Sequence, residues 1–274
     1  MPVRISAYVP CFNNAATVRR AVESILEQTL PPAETLVVDD GSTDRSVEEL
    51  SGLDGVRIIR QNRNLGRGAV RARAMREARH EFVLCCDATN VLDPAFVEKA
   101  LSWFDDPAVA AVFGRITQTP ARGVAERWRG RHLFKLDTPL ETRRGAALAT
   151  GGAIVKAPAV ASVGGYDARL RHTEDGDLGA RLRAASHDVI CDPRLEVICI
   201  ASNTVADVLE RHWRWYAGVD ERTSWRGYWK NCGYAIKAMA LADLRAGDLP
   251  SVAVSLATPH YQFWRSWVRH RGPT

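Results

Sequence analysis

The sequence predicts an α/β fold: a mostly parallel central sheet flanked by helices, followed by a helical, tryptophan-rich C-terminal extension. Three observations carry this expectation. Short β-rich runs alternate with segments of helical period along the first part of the chain. Polar residues gather where the β-rich runs stop. Six of the eight tryptophans (Trp213, Trp215, Trp225, Trp229, Trp264 and Trp267) fall in the last 62 residues.

The elements follow in order. VRISAYV (3–9) reads as a strand closed by Pro10, and the 15–28 segment places Val18, Val22, Ile25 and Leu26 on one helical face. ETLVVD (34–39) is a strand, TDRSVEELSGL (43–53) a short helix, VRIIR (56–60) a strand, and GRGAVRARAMREARH (66–80) a helix. EFVLCCD (81–87) is a strand, and DPAFVEKALSWFD (93–105) is a helix with Asp93 as its cap and Pro94 in its first turn. AVAAVFGR (108–115) is a further strand. Alternation of this kind builds βαβ units around a parallel sheet. Residues 116–150 are arginine-rich with few apolar runs and read as a loop-rich crossover. The 151–167 segment is a strand and short helix, EDGDLGARLRAAS (174–186) a helix with acids at its start, and DVICDPRLEVICI (188–200) two strands split at Asp192-Pro193. From Thr204 the pattern is helical.

Composition narrows the class. A chain of 274 residues with 46% hydrophobic content can bury a sizeable core. No window approaches the ~18–20 apolar residues of a membrane span, and the start MPVRISAYVP lacks signal-peptide character, so a cytoplasmic protein is expected. Cys11, Cys85, Cys86, Cys191, Cys199 and Cys232 form no C-x-x-C pair, which fits small buried side chains in a reducing compartment. The net charge is +5, and five of the 37 basic residues are Lys, the rest Arg. Arginine suits phosphate and carboxylate recognition.

In an open α/β sheet, ligands bind beyond the carboxyl ends of the strands. Here those ends read VPCFNN, DDGSTD and DATN, collecting Asp39, Asp40, Asp44 and Asp87 with Asn13, Asn14 and Ser42. Any one such turn is ordinary turn and cap chemistry. Their repetition at successive strand ends points to a nucleotide-sized polar ligand. No G-x-G-x-x-G and no P-loop motif is present, which disfavours a dehydrogenase-type dinucleotide site.

The stretch AYVPCFNNAATVRRAVESILEQTLPPAETLVVDDGSTDRS (7–46) resembles the opening of family 2 glycosyltransferases. The similarity continues through 64–75, 82–101, 151–167 and 174–182, and covers roughly residues 3–200. It implies the glycosyltransferase A fold, a Rossmann-like sheet joined to an acceptor-binding half. It also implies transfer of a sugar from a nucleotide diphosphate donor, UDP-linked above all, with inversion at the anomeric carbon. The domains expected are 1–203 for catalysis, with 1–115 as nucleotide-binding half and 116–203 as acceptor-binding half, then a helical extension over 204–274.

Residue roles follow from the same resemblance. Pro10 and Phe12 fall at the turn that packs on the base, Asp39 at the acid that hydrogen-bonds it, and Arg71 at the arginine of the family's A-R-N stretch, although Asn is absent here. Asp87 matches the first acid of D-x-D, which reaches the ribose or a metal. Asp175, beside Glu174, matches the proposed catalytic base, for which a carboxylate must take the proton of an acceptor hydroxyl. Glu174 and Asp177 are expected to raise its pKa by repulsion. A plain reading of these three acids is that they complement a helix dipole. The metal clamp is incomplete: Thr89 stands where the second acid of D-x-D belongs, so a divalent cation, Mn²⁺ or Mg²⁺, would rest on Asp87 and be weakly required.

RHWRW (211–215) resembles the (Q/R)-x-x-R-W signature of some family 2 members, which places Arg211, Arg214 and Trp215 near the diphosphate and acceptor. For the tryptophan-rich tail, core packing, a homodimer contact, a membrane surface at the inner face and carbohydrate stacking all stay open. The partners expected are a nucleotide-sugar donor and a glycan or lipid-linked acceptor, with no nucleic acid. Competing readings are a catalytically weak or inactive nucleotide-sugar-binding or scaffold protein, and a nucleotidyltransferase, whose Gly-rich basic loop is absent.

Overall fold

The structure is a computed structural model that describes residues 4–216 and 223–268. Two compact units emerge: residues 1–119 with 140–201, and residues 120–139 with 202–274. The segment 120–139 groups with the C-terminal helices.

The first unit is built on one eight-stranded sheet. Its strands are β1 (Ile5–Cys11), β2 (Glu34–Asp39), β3 (Val56–Arg60), β4 (Phe82–Cys86), β5 (Asn90–Leu92), β6 (Val109–Gln118), β7 (Gly152–Lys156) and β8 (Asp188–Cys199), in the order β3-β2-β1-β4-β7-β6-β8-β5. β1 to β4 are mutually parallel and β6 runs parallel to β8, while β7 and the short β5 are antiparallel to their neighbours. The sheet is thus mostly parallel, as expected.

Period-2 alternation sends side chains to two cores. Ile5, Ala7, Val9 and Cys11 of β1 meet Val18, Val22 and Ile25 of α1 (Val18–Leu26) and Phe96 and Val97 of α3 (Phe96–Leu101). On the opposite face Tyr8, Leu36 and Val38 meet Val70 of α2 (Arg67–Glu77), Val160 of α5 (Ala157–Ser162) and Leu178 and Leu182 of α6 (Glu174–Ala184). Cys85 and Cys86 take opposite faces. All six cysteines are free, and five are buried.

Local chemistry overrides periodicity in several places. The helix expected over 43–53 is only a 3₁₀ turn at Glu48–Leu50. The Asp44 carboxylate accepts from Ser46 N and Oγ and from Ala15 N, and such side-chain bonds compete with a helical backbone. The two strands expected over 188–200 are one. Its pairing with β6 jumps from Gly114↔Asp192 to Arg115↔Glu196, so Pro193 falls in a bulge where no ladder hydrogen bond is needed. Asp93 does not cap the helix as expected: its Oδ1 accepts from Ala95 N in a turn that precedes α3, which begins at Phe96 with Ala95 at its N-cap, so Pro94 also lies outside the helix. The crossover over 116–150 holds the end of β6 and a helix, α4 (Val124–His132).

The second unit contains α4, α7 (Val205–Tyr216), α8 (Trp225–Tyr234), a π-helical turn (Ala235–Ala240), α9 (Leu241–Arg245) and α10 (Leu249–Val268). Its core is polar at the centre. The indole of buried Trp128 donates to Ser255 Oγ (2.8 Å), Ser255 donates to Asp243 Oδ2 (2.5 Å), and Asp243 Oδ1 pairs with Arg131 (2.6 Å) and His132 Nε2 (2.7 Å). Asp248 takes a two-pronged pair from Arg127, at 2.9 and 3.0 Å. Among the described residues no helix is long and apolar enough to cross a membrane.

Candidate active site

Three strand ends and one helix start converge in the first unit. The turns after β1 and β2 are laced together: Asn13 N donates to Ser42 Oγ (2.9 Å), Thr43 N to Asn13 Oδ1 (2.9 Å) and Asn14 N to Ser46 Oγ (2.7 Å). Asn13 holds a left-handed conformation, φ 52°, that Asn tolerates better than most residues. The polar side chains of these turns are therefore committed largely to shaping the loop. What the loop presents outward is Phe12, which is exposed, with Pro10 half-buried beside it.

The two acids of DDG do different work. Buried Asp39 accepts from Ser42 N (3.2 Å). Asp40 is an anchor: it accepts from Gln61 Nε2, Leu65 N and Gly66 N at 2.8–2.9 Å, fastening the 61–66 loop to the end of β2. Burial raises its pKa, and the two backbone N–H bonds oppose that rise. Gly41, at φ 73°, lies so close to the Arg63 backbone that a Cβ would stand 2.8 Å from it.

At the centre lies Arg71, fully buried on α2. Its Nε donates to Glu174 Oε1 (2.8 Å), one terminal nitrogen to Asp87 Oδ1 (3.0 Å), and the other to Tyr8 OH (3.3 Å) and Cys85 Sγ. The side chains of Arg71 and Glu174 are each 2% exposed, and Asp87 is 25% exposed. The expectation for Arg71 was a nucleotide contact. In the structure it forms an internal tie between the end of β4 and the start of α6. Tyr8, and Cys85, which the sequence suggested as a small buried side chain, complete the cradle. Only the β1–β4 register, which sets Tyr8 beside Cys85, and the packing of α2 reveal that role.

Asp175 is half-buried in the first turn of α6, with Oδ1 accepting from Gly176 N (2.8 Å) and Thr150 Oγ1 at 3.5 Å from Oδ2. Its pKa is raised from 3.8, first by burial and then by repulsion from Glu174, against the pull of Arg71, the Gly176 N–H and Arg67. Asp177 is paired with Arg181 at 2.5–3.0 Å, so the leading repulsion on Asp175 comes from Glu174. Thr173, just before the two acids, sits at φ 64°, an unfavourable left-handed conformation for a β-branched residue. Gly68 seats the preceding loop: its N donates to Leu170 O (2.9 Å), and a Cβ there would collide with the carbonyls of Asp167 and Leu170.

Thr89 is half-buried, 3.4 Å from Asn90 Oδ1 through its hydroxyl, and its carbonyl accepts from Ile200 N (2.9 Å). No group of three His, Cys, Asp or Glu capable of holding a metal occurs among the described residues. With Oδ1 of Asp87 on Arg71, the strand end offers a cation one carboxylate oxygen, Oδ2. Those residues fit Mg²⁺ or Mn²⁺ bound mainly through a ligand's own phosphates and waters, and do not fit an ion held by protein alone.

Arg211, Arg214 and Trp215 stand on α7 in the second unit, with Trp215 exposed and its ring 6.3 Å from that of Phe134. The remaining expected site residues all lie in the first unit.

The comparisons define the class. The family model for glycosyl transferase family 2 matches residues 6–159, more than half of the chain, and this protein belongs to that family. Its fold is the glycosyltransferase A fold. A mannosyltransferase from Pyrobaculum calidifontis, solved with GDP-Man and Mn²⁺, superposes with a TM-score of 0.63 at 17% identity over 97% of this chain and 86% of that one. TarS 1-349 of S. aureus in complex with UDP gives 0.59 at 16% identity over 94% and 92%. Among curated sequences, poly-beta-1,6-N-acetyl-D-glucosamine synthase of Staphylococcus epidermidis is 24% identical over 226 residues, 79% of this chain and 55% of that protein. Chondroitin synthase of Escherichia coli is 34% identical over 114 residues, 40% of this chain and 16% of that protein. The chain thus spans little more than half the length of the first relative and far less of the second.

Proposed function

We propose that this chain is an inverting glycosyltransferase that moves a sugar from a nucleotide diphosphate donor, a UDP-sugar, to an acceptor hydroxyl, with Asp175 as general base. The observation that carries the reading is the Asp87–Arg71–Glu174 tie, which holds the strand-end acid and the helix bearing Asp175 in one constellation. A carboxylate whose pKa is raised by burial and by Glu174 is a better proton acceptor than a solvated one. Phe12 and Pro10 offer a face for the base, and Asp39 a carboxylate for its polar edge. Asp87 Oδ2 would hold the ribose or a divalent cation, and such a cation neutralises charge on the departing diphosphate. Arg211, Arg214 and Trp215 would support the diphosphate and the acceptor, a glycan or a lipid-linked hydroxyl. The catalytic domain would comprise the sheet unit, with the C-terminal helices as its extension.

The test is Asp175→Asn. It removes a proton acceptor without changing shape, so transfer should fall by ~10²–10⁴-fold while UDP affinity stays close to wild type. Retention of more than about a tenth of the turnover would remove Asp175 from the base role. A second reading, a catalytically weak donor-binding or scaffold protein, draws on the single carboxylate at the metal position. Donor hydrolysis with enzyme in excess distinguishes the two: release of UDP supports the enzyme, and binding without turnover supports the scaffold.

A further inference from the structure

The tryptophan-rich helices of the second unit carry a surface that the transfer reading does not use. On α10 the exposed positions Leu249, Ala253, Leu256, His260, Trp264 and Trp267 recur every three or four residues and form one helical face. Along α8 and its π-helical continuation, Trp225, Trp229 and Ile236 form a second exposed stripe, with Trp225 and Trp229 at 62% and 67% exposure. The two stripes join through rings: Phe263 of α10 lies 4.7 Å from Trp225, 4.9 Å from Tyr228 and 5.8 Å from Trp267, and Tyr228 OH bonds His260 Nδ1 (3.0 Å). One position further round α8, the exposed Arg226, Lys230 and Lys237 repeat at the same intervals and form a basic stripe beside the aromatic one.

Among the described residues, acids are missing from this face for a structural reason. The only acids between Thr223 and Val268 are Asp243 and Asp248. Both are buried, taken up by Arg131 and His132 and by Arg127. The described exposed charges of the segment are thus all basic.

We infer that this face is a docking surface for an anionic lipid bilayer. Trp and Tyr rings suit the headgroup boundary, where one end of the ring is apolar and the other wet. Lys and Arg beside them can run their stems along the apolar layer and place their charges among lipid phosphates. Both features are needed, since an apolar patch alone would suit any greasy partner. The charge pattern argues against a second copy of the chain, because in a two-fold dimer the patch meets itself and its basic stripes would face one another.

The experiment is co-flotation of the full chain with vesicles of phosphatidylcholine alone and of phosphatidylcholine mixed with phosphatidylglycerol. Tryptophan emission and sedimentation velocity are read alongside, with no substrate present, so the outcome does not depend on the transfer reading. Binding should favour the phosphatidylglycerol vesicles, weaken with salt and shift the emission to the blue. Combined Arg226→Gln, Lys230→Gln and Lys237→Gln should cost on the order of 100-fold in partition, at about fivefold for each charge. Combined Trp229→Ser and Trp264→Ser, both at exposed positions, should lower partition while leaving far-UV circular dichroism unchanged. Failure to float with anionic vesicles, or flotation that both variants leave intact, overturns the inference. So does a concentration-dependent dimer that the tryptophan variant dissolves while vesicles have no effect.

Discussion

Arg71→Met is the most demanding probe of the site, because the structure assigns Arg71 a load that a ligand-contacting arginine would not bear. The Arg71–Glu174 pair spans 2.8 Å with both side chains 2% exposed. Removing the arginine leaves the buried Glu174 carboxylate without its ion-pair partner. Breaking one partner of a buried pair costs about 3–5 kcal/mol, because the remaining charge has lost its compensation. The exposed pair Arg73–Glu77 lies at the same distance with the arginine 47% exposed, and should be worth only ~0.3–0.5 kcal/mol. At 2–4 °C per kcal/mol for a unit of this size, Arg71→Met should lower Tm by roughly 6–20 °C, and Arg73→Met hardly at all. The double variant Arg71→Met, Glu174→Met removes both charges and should recover most of the stability, since apolar replacements for buried pairs are often neutral. It should not recover donor binding, because Asp87 still lacks its tie. Urea unfolding followed by circular dichroism, with UDP calorimetry at a temperature where each variant is folded, measures both effects. A loss under about 1 kcal/mol in Arg71→Met would refute the structural load assigned to Arg71.

Three further outcomes are expected. Asp39→Ala should weaken UDP binding by about 1.5–3 kcal/mol by calorimetry, and unchanged affinity in a folded variant would move the base site elsewhere. Thr89→Asp should enlarge the gain in UDP affinity that Mn²⁺ confers, and should weaken binding in chelator because the new carboxylate repels the diphosphate. A wild type with strict metal dependence that this change leaves untouched would show that Thr89 is not at the metal. The raised pKa of Asp175 fixes a sign: the fold favours the protonated acid, so its contribution to stability is full below the ordinary value of 3.8 and is lost as pH rises through the folded value. Asp175→Asn should therefore gain stability relative to wild type as pH rises through that window, while kcat/KM of the wild type rises with the deprotonated base. Parallel stability profiles would contradict the burial and repulsion assigned to this carboxyl.

Much of the fold was legible because burial imposes a period on the chain. The alternation through β1, β2 and β4 and the spacing of Val18, Val22 and Ile25 announce a sheet between helices, and acids at strand ends mark the candidate site. These are local signals, carried within a few residues. What the tertiary structure alone decided depends on partners distant in sequence. Arg71 and Glu174 are 103 residues apart, and only the packing of α2 beside α6 turns a basic helix residue into a buried tie. Pro193 breaks a strand on paper, yet a bulge opposite Gly114 lets β8 run through it. The six C-terminal tryptophans look alike in sequence. Trp213 is enclosed with Arg265 over its ring at 5.1 Å, whereas Trp225, Trp229, Trp264 and Trp267 face outward. For α9 and the start of α10, the burial of Asp243 and Asp248 on arginines of α4 sets which side turns inward. That choice was not written in any short stretch, since the partners that make it lie more than a hundred residues upstream.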